Sequence, residues 1–174
     1  MLKKILIAFV ALVVACLVVV AMQPSDFKIT RSAIMSAPVA TVFSQVNNFH
    51  NWEAWSPWMK LDPAMKQTYE GPPAGAGAIM FWSGNRNVGE GRMAITGGHP
   101  DDLIRIKLEF LKPFKATNTT EFTFKPNGNG TTVNWAMTGK NNFLSKIFCL
   151  FMNMDKMVGG DFEQGLAKMK TVVE

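Results

Sequence analysis

From Ile5 to Met22 no polar side chain interrupts the chain. Beyond Asp26 the apolar positions settle into two other rhythms, a spacing of two through the middle and of three and four at the end. At about 1.5 Å rise per residue, the first run makes a helix of roughly 27 Å, close to the thickness of a bilayer's hydrocarbon core. Lys3 and Lys4 precede it, and Gln23-Pro24-Ser25-Asp26 closes it. The expectation is an uncleaved anchor through residues 5–22. Two alternatives stay open. One is a cleaved secretory signal, for which Ala15 and Ala21 are loosely suitable cleavage residues. The other is a lipid-modified Cys16 after Val13-Val14-Ala15, against which the apolar run continues through Leu17-Val18-Val19-Val20. The chain thus divides into a segment 1–25 and one domain, 26–174. A short basic N-terminus tends to stay in the cytoplasm, which would put the domain on the other side.

Phe27 to Met35 alternates enough for a first strand, with Phe27, Ile29, Ala33 and Met35 on one side. Ser36-Ala37-Pro38 ends it, and Ser36 is the expected N-cap of a helix through Val39–Val46. A second helical segment runs from Phe49 to Trp55 and breaks at Ser56-Pro57. Strands are then expected at Lys66–Glu70, Ala78–Ser83, Val88–Thr96, Leu103–Leu111, Ala116–Lys125 and Thr131–Lys140. Turn residues separate them, among them Gly71-Pro72-Pro73, Gly97-Gly98-His99-Pro100 and Asn127-Gly128-Asn129-Gly130. Short connections between neighbours imply an antiparallel meander. Ile104, Ile106, Leu108 and Phe110 alternate with Arg105, Lys107 and Glu109, and Val133, Trp135 and Met137 alternate with polar or small neighbours. Each strand has a wet and a dry side.

The last segment, Phe143 to about Val173 after Asn142, repeats Leu144, Ile147, Phe148, Phe151, Met154, Val158, Phe162, Leu166, Met169 and Val173 at the spacing of one helix face. Gly159-Gly160 in its middle should bring a kink, a loosened turn or a close contact, since each glycine costs about 1 kcal/mol relative to alanine inside a helix. Two short helices cannot cover the dry face of such a sheet. The long helix must lie across it, which makes the fold class α+β.

Charge and cysteine content narrow the partners. The chain carries a formal +5; without Lys3 and Lys4 the domain keeps 5 − 2 = +3, dispersed and without a basic run, so no nucleic acid is expected. Cys16 and Cys149 are too differently placed to bridge. His50, His99 and Cys149 have no metal-ligand spacing, so neither a disulfide nor a metal site is expected. No nucleophile motif or phosphate-cradling loop points to a cofactor.

The punctuation of these elements resembles the SRPBCC superfamily, the START-like or helix-grip fold, and in particular its bacterial polyketide cyclase/dehydrase-like members. The residues that carry the likeness begin with Ile34-Met35-Ser36-Ala37-Pro38 with Val42-Phe43, and Trp52-Glu53-Ala54-Trp55-Ser56-Pro57-Trp58 with Asp62-Pro63. They continue with Gly89-Glu90-Gly91-Arg92, Gly130 to Trp135, and Gly160 to Leu166 leading to Met169-Lys170. The resemblance implies a curved sheet gripping the C-terminal helix around an apolar cavity that opens near the short helices. With a bacterial family as the likeness, the anchor is expected in a bacterial inner (cytoplasmic) membrane, and the basic N-terminus would then put the domain on the periplasmic side.

Twelve methionines and thirteen phenylalanines suit an adaptable apolar interior. The residues expected to face a ligand are Trp55 from the short helices and Met80, Trp82, Met93, Ile106, Leu108, Phe110, Phe122, Trp135 and Met137 from the strands. Phe148, Phe151, Met154 and Val158 of the long helix are expected opposite them. For each of them taken singly, packing into an ordinary core is the stronger alternative. Glu90, between Gly89 and Gly91, is the one carboxylate placed to move a proton if it faces the dry side; otherwise it pairs outward with Arg92 or Arg86. The expected function is a membrane-anchored binding module for a hydrophobic small molecule or lipid, without a cofactor. The alternatives are a cyclase or dehydratase working through Glu90, and a non-catalytic accessory subunit of a membrane complex.

Overall fold

A computed structural model describes residues 2–174. Helix α1 spans Leu2–Met22, strand β1 Asp26–Met35 and helix α2 Val39–Asn47. A single 3-10 turn at Phe49–Asn51, the one-turn helix α3 at Trp52–Trp55 and a 3-10 turn at Pro57–Lys60 follow. Strands β2 Lys66–Glu70, β3 Ile79–Ser83, β4 Glu90–His99, β5 Leu103–Lys112, β6 Ala116–Asn127 and β7 Gly130–Lys140 lead to helices α4, Phe143–Phe151, and α5, Met154–Val173.

The seven strands form one antiparallel sheet in the order β1-β7-β6-β5-β4-β3-β2. The meander of β2 to β7 is therefore extended by β1 beside β7, which leaves β1 and β2 as the two edges of an open sheet. At one end of the sheet, here the near end, Asp26 pairs with Lys140 and the β5–β6 turn follows Lys112. At the far end Met35 pairs with Thr131. This is the α+β class that the alternation implied, in the helix-grip arrangement that the resemblance implied.

Burial follows the two-residue rhythm. Met80, Met93, Ile95, Ile104, Ile106, Phe122, Phe124, Val133, Trp135 and Met137 all turn to the inner face and are buried. The short helices seal the far half of that face: Val42, Val46, Phe49, Trp52 and Trp55 are buried there, and Phe43 meets Phe124 edge-on at 5.3 Å. The Trp52 and Trp55 indoles donate to the carbonyls of Val46 and Gln45, both at 3.1 Å, which fixes both rings in the core. The β2 edge curls in to meet the same helices through the Tyr69 ring on His50 and the Gln67 side chain on the Met59 sulfur.

Three local expectations are corrected. Pro38, not Ser36, occupies the N-cap of α2, and the Ser36 N–H instead binds the Glu174 carboxylate at the end of α5, 2.6 Å away. Gly97 and Gly98 belong to β4, where the register slips after Ile95, rather than to a turn. The C-terminal helix is not one element broken at its glycines. It stops at Phe151, because Met152 adopts an extended conformation, and restarts where Asn153 accepts a hydrogen bond from the Lys156 N–H at 2.9 Å.

Of the outcomes expected for the glycine pair, Gly159 shows the close contact, while Gly160 has open space around it. Arg31 is the one charged residue on the inward-facing positions of β1, and a Cβ at Gly159 would collide with its guanidinium. Arg31 lies between Asp155, at 3.0 Å, and Glu163, at 2.5 Å, one helical turn to either side of that glycine. The guanidinium hydrogen bonds hold the Asp155 carboxyl below its usual range. A carboxylate whose folded pKa is depressed stabilises the fold above its unfolded pKa of about 4 and loses that contribution as pH falls through the folded value. The denaturation midpoint of Asp155→Asn is accordingly expected below wild type at pH 7, with the difference shrinking as the pH approaches 3; urea titrations at both pH values measure it.

Candidate functional site

The interior is filled at its centre and looser at its near end. Trp135 stacks face to face on Phe162 of α5, with centroids 4.0 Å apart, and on Phe122 of β6 at 4.7 Å. Trp52, Trp55 and Trp58 stand edge-on around it at 6.3, 5.7 and 5.8 Å. Its Nε1–H is buried without a hydrogen-bond acceptor among the described protein atoms. Helix α5 reaches this cluster while running along β1, α2, α3 and the Pro57–Lys60 turn.

Past the cluster, towards the near end, apolar side chains of the inner face are only half covered. Trp82, Leu108 and Phe110 belong to this group, with Phe27 on β1 and Met154 and Val158 on α5. Trp82 meets Phe110 edge-on at 5.8 Å and donates its indole N–H to the Val88 carbonyl at 3.0 Å. Gly91 makes this possible: a Cβ there would occupy the space of the Trp82 ring. Asn118 and Thr120 also point inward and are buried, Asn118 lying 3.8 Å from the Met137 sulfur. They supply a small polar element to an otherwise apolar region. The sequence reading passed over them, although they share the parity of Phe122 and Phe124 along β6.

The residues nominated from sequence separate accordingly. Trp55, Ile106, Phe122 and Trp135 form solid core. Met80, Met93 and Met137 are buried beside the looser region, and Trp82, Leu108, Phe110, Met154 and Val158 border it. Phe148 and Phe151 do not face the strands: they lie on α4, exposed, Phe151 at 83%. The break at Met152-Asn153 turns α4 away from the sheet and beside α1.

Glu90 follows the outward alternative, with Lys112 rather than Arg92 or Arg86 as its partner. Its neighbour Gly91 pairs with the inward Phe110 and Trp82, so Glu90 takes the outer face. There its carboxylate binds the Lys112 ammonium at 3.0 Å and the Ser83 hydroxyl at 3.2 Å. The lysine hydrogen bond lowers its pKa, the opposite of a buried proton donor. Arg92 bonds to Glu109 rather than to Glu90.

Asp161 on α5, hydrogen-bonded by Trp58, is the carboxylate whose pKa is raised, by burial. Above that raised value its charge is a cost of folding, relieved as pH falls through it. Asp161→Asn is expected to raise stability at pH 7 by less than about 1 kcal/mol after solvent screening, with the gain fading towards pH 4. Thermal melts at the two pH values check the sign, which is opposite to that for Asp155.

Two open surface hollows accompany these features. One, of about 590 Å³, is bordered by Asp26, Lys28, Thr117, Thr119, Thr138 and Lys140 around the near end of β1, β7 and β6. The other, of about 460 Å³, follows Cys149 to Met154 at the α4–α5 break. Neither lies between the sheet and α5. Among the described residues no group of His, Cys, Asp and Glu side chains is placed to hold a metal.

A curved antiparallel sheet holding a C-terminal helix over an apolar interior defines the helix-grip class of the SRPBCC superfamily. Residues 26–174 match the family described as polyketide cyclase / dehydrase and lipid transport, and the chain belongs to that family. No curated protein matches the sequence. Among solved structures it is similar to protein CV1439 from Chromobacterium violaceum, with 15% identity over 84% of this chain and 96% of the other at a TM-score of 0.62. It is also similar to CalU16 from Micromonospora echinospora, with 16% identity over 84% and 74% at 0.59. The di-domain ARO/CYC BexL from the BE-7585A biosynthetic pathway shares 15% identity over 89% of this chain and 52% of BexL at 0.60. At these identities the likeness shows the fold.

Proposed function

We propose that this protein is a membrane-anchored binding module that holds a hydrophobic small molecule or lipid between the near end of the sheet and α5. The observation that supports it is the half-covered apolar group Trp82, Leu108 and Phe110 on the inner face, beyond the filled cluster around Trp135. Apolar surface left partly wet gains about 25 cal/mol for each Å² a ligand covers, and Asn118 and Thr120 can orient a polar headgroup or carbonyl. The family's description includes lipid transport, which fits this chemistry.

Helix α1 is long and apolar enough to cross a membrane and is almost wholly exposed, as an anchor would be; a signal sequence has the same composition. Retention of α1 would keep the domain beside the bilayer, the source of apolar ligands. Proton-transfer catalysis through Glu90 has no support from the position of that residue on the outer face.

Gentle extraction of the full chain from membranes followed by mass spectrometry tests the proposal. An apolar compound is expected in near-stoichiometric amount with a protein mass that retains residues 1–25. Repeatedly empty protein would overturn ligand binding, and a mass beginning after the apolar run would overturn the anchor.

A further inference from the structure

Helix α4 wears its apolar side outward. Phe143, Phe148, Leu150 and Phe151 are exposed, while Ser145 and Lys146 are partly covered, and Lys146 donates to the Ala21 carbonyl at the end of α1. A helix of a water-soluble domain shows the reverse arrangement. The exposed side is not isolated. Phe114, 60% exposed in the β5–β6 turn, packs against Phe148 with centroids 6.4 Å apart, and Leu111 beside it is also exposed. Met152 and Met157, on either side of the α4–α5 break, are exposed as well.

All of these lie at the near end of the sheet, where the chain leaves α1. The Asn141 N–H bonds to the Ser25 carbonyl at 2.7 Å, which ties the start of α4 to the exit of α1 within a few residues of Met22. Lys28 and Lys115 stand at the same end, beyond the pairs that Lys112 and Lys140 make with Glu90 and Asp26. Clustered large apolar side chains with lysines at their border, continuous with a membrane-crossing helix, have the composition of a membrane interface.

We propose that α4 and the β5–β6 turn lie in the headgroup region of the same bilayer that α1 spans, so that the domain is docked on lipid by its near end rather than held on a free tether. This rests on α1 being a retained anchor. The docked orientation turns the half-covered group of Trp82, Leu108 and Phe110 towards lipid, and an apolar molecule entering there would not have to cross bulk water.

The test places an environment-sensitive fluorophore at single cysteines in the full chain, in a Cys16→Ser, Cys149→Ser background. The protein is reconstituted in vesicles of phosphatidylethanolamine and phosphatidylglycerol, with and without doxyl-labelled lipid. The positions are Leu17→Cys in α1, Phe151→Cys in α4, Phe114→Cys in the turn and Asn129→Cys at the far end. Docking predicts blue-shifted emission quenched by doxyl lipid at positions 17, 114 and 151, and water-like unquenched emission at 129. Quenching at 17 with water-like emission at 114 and 151 would overturn docking and leave the anchor standing. Blue-shifted but unquenched emission at 114 and 151 would also overturn it, because a protein partner or second copy would then cover the patch. An unquenched label at 17 would overturn the anchor itself.

Discussion

Replacing Trp135 with alanine is expected to lower the unfolding free energy by about 3–5 kcal/mol, the range for removing a large buried aromatic side chain. The ring is the keystone of the interior: it joins β7 to α5 through Phe162, to β6 through Phe122, and to the short helices through three further indoles. The surrounding rings are held by their own hydrogen bonds and strand positions, so the vacated space cannot close. Trp135→Phe should cost much less than Trp135→Ala. It keeps a stacking ring and removes an indole N–H that is buried without an acceptor, a group whose desolvation opposes folding. Urea denaturation of the full chain in detergent micelles, followed by near-ultraviolet circular dichroism, measures both variants. Equal losses for the two would mean that the ring stack is not what holds sheet and helix together.

Phe110→Ala is expected to act on the ligand instead. Full burial of a phenylalanine side chain is worth about 1.5–3 kcal/mol, and a ligand covers only the part of Phe110 that the fold leaves exposed, so its loss should cost about 1 kcal/mol and reduce retention of the apolar compound about 5-fold. The side chain is only half covered in the unliganded fold and touches Trp82 rather than the Trp135 cluster, so stability should fall less than in Trp135→Ala. Quantitative mass spectrometry of ligand per protein, beside the same urea titration, separates the two effects. Unchanged ligand content would remove the near end from the proposal.

The contrast between these variants also marks how far the sequence was legible. Strand alternation is a direct consequence of side chains pointing to opposite faces, so Ile104, Ile106, Leu108 and Phe110 identify their own face, and the strand limits expected from turn residues agree closely with those observed. The break before α5 was less visible. Phe148, Phe151, Met154 and Val158 keep one helical spacing across it, and spacing alone cannot distinguish continuation from a stop at Met152 and a new start capped by Asn153. The Asn153 to Lys156 spacing was the available signal.

Among the nominated site residues, the inward parity of Trp82, Met93 and Phe110 was readable, whereas the degree of filling was not. Coverage of Trp135 depends on Phe162 and on the tryptophans of a separate segment. Glu90 illustrates a related limit. Its face was set by the register that opposes Gly91 to Phe110, which depends on a slip between Glu90 and Gly91. The role of Gly159 likewise required knowing that Arg31, distant in sequence, comes to rest on it.

Photo-crosslinking in native membranes tests the central claim most directly. Cells expressing the full chain are supplied with a diazirine-bearing fatty acid, which they build into lipid, then irradiated, and the protein is digested and mapped by mass spectrometry. An apolar molecule held between sheet and α5 predicts adducts on the inner-face segments around Trp82, Leu108 to Phe110 and Met137, in addition to those on α1. Adducts confined to α1 and the outward side of α4, with the inner-face segments unlabelled, would contradict it.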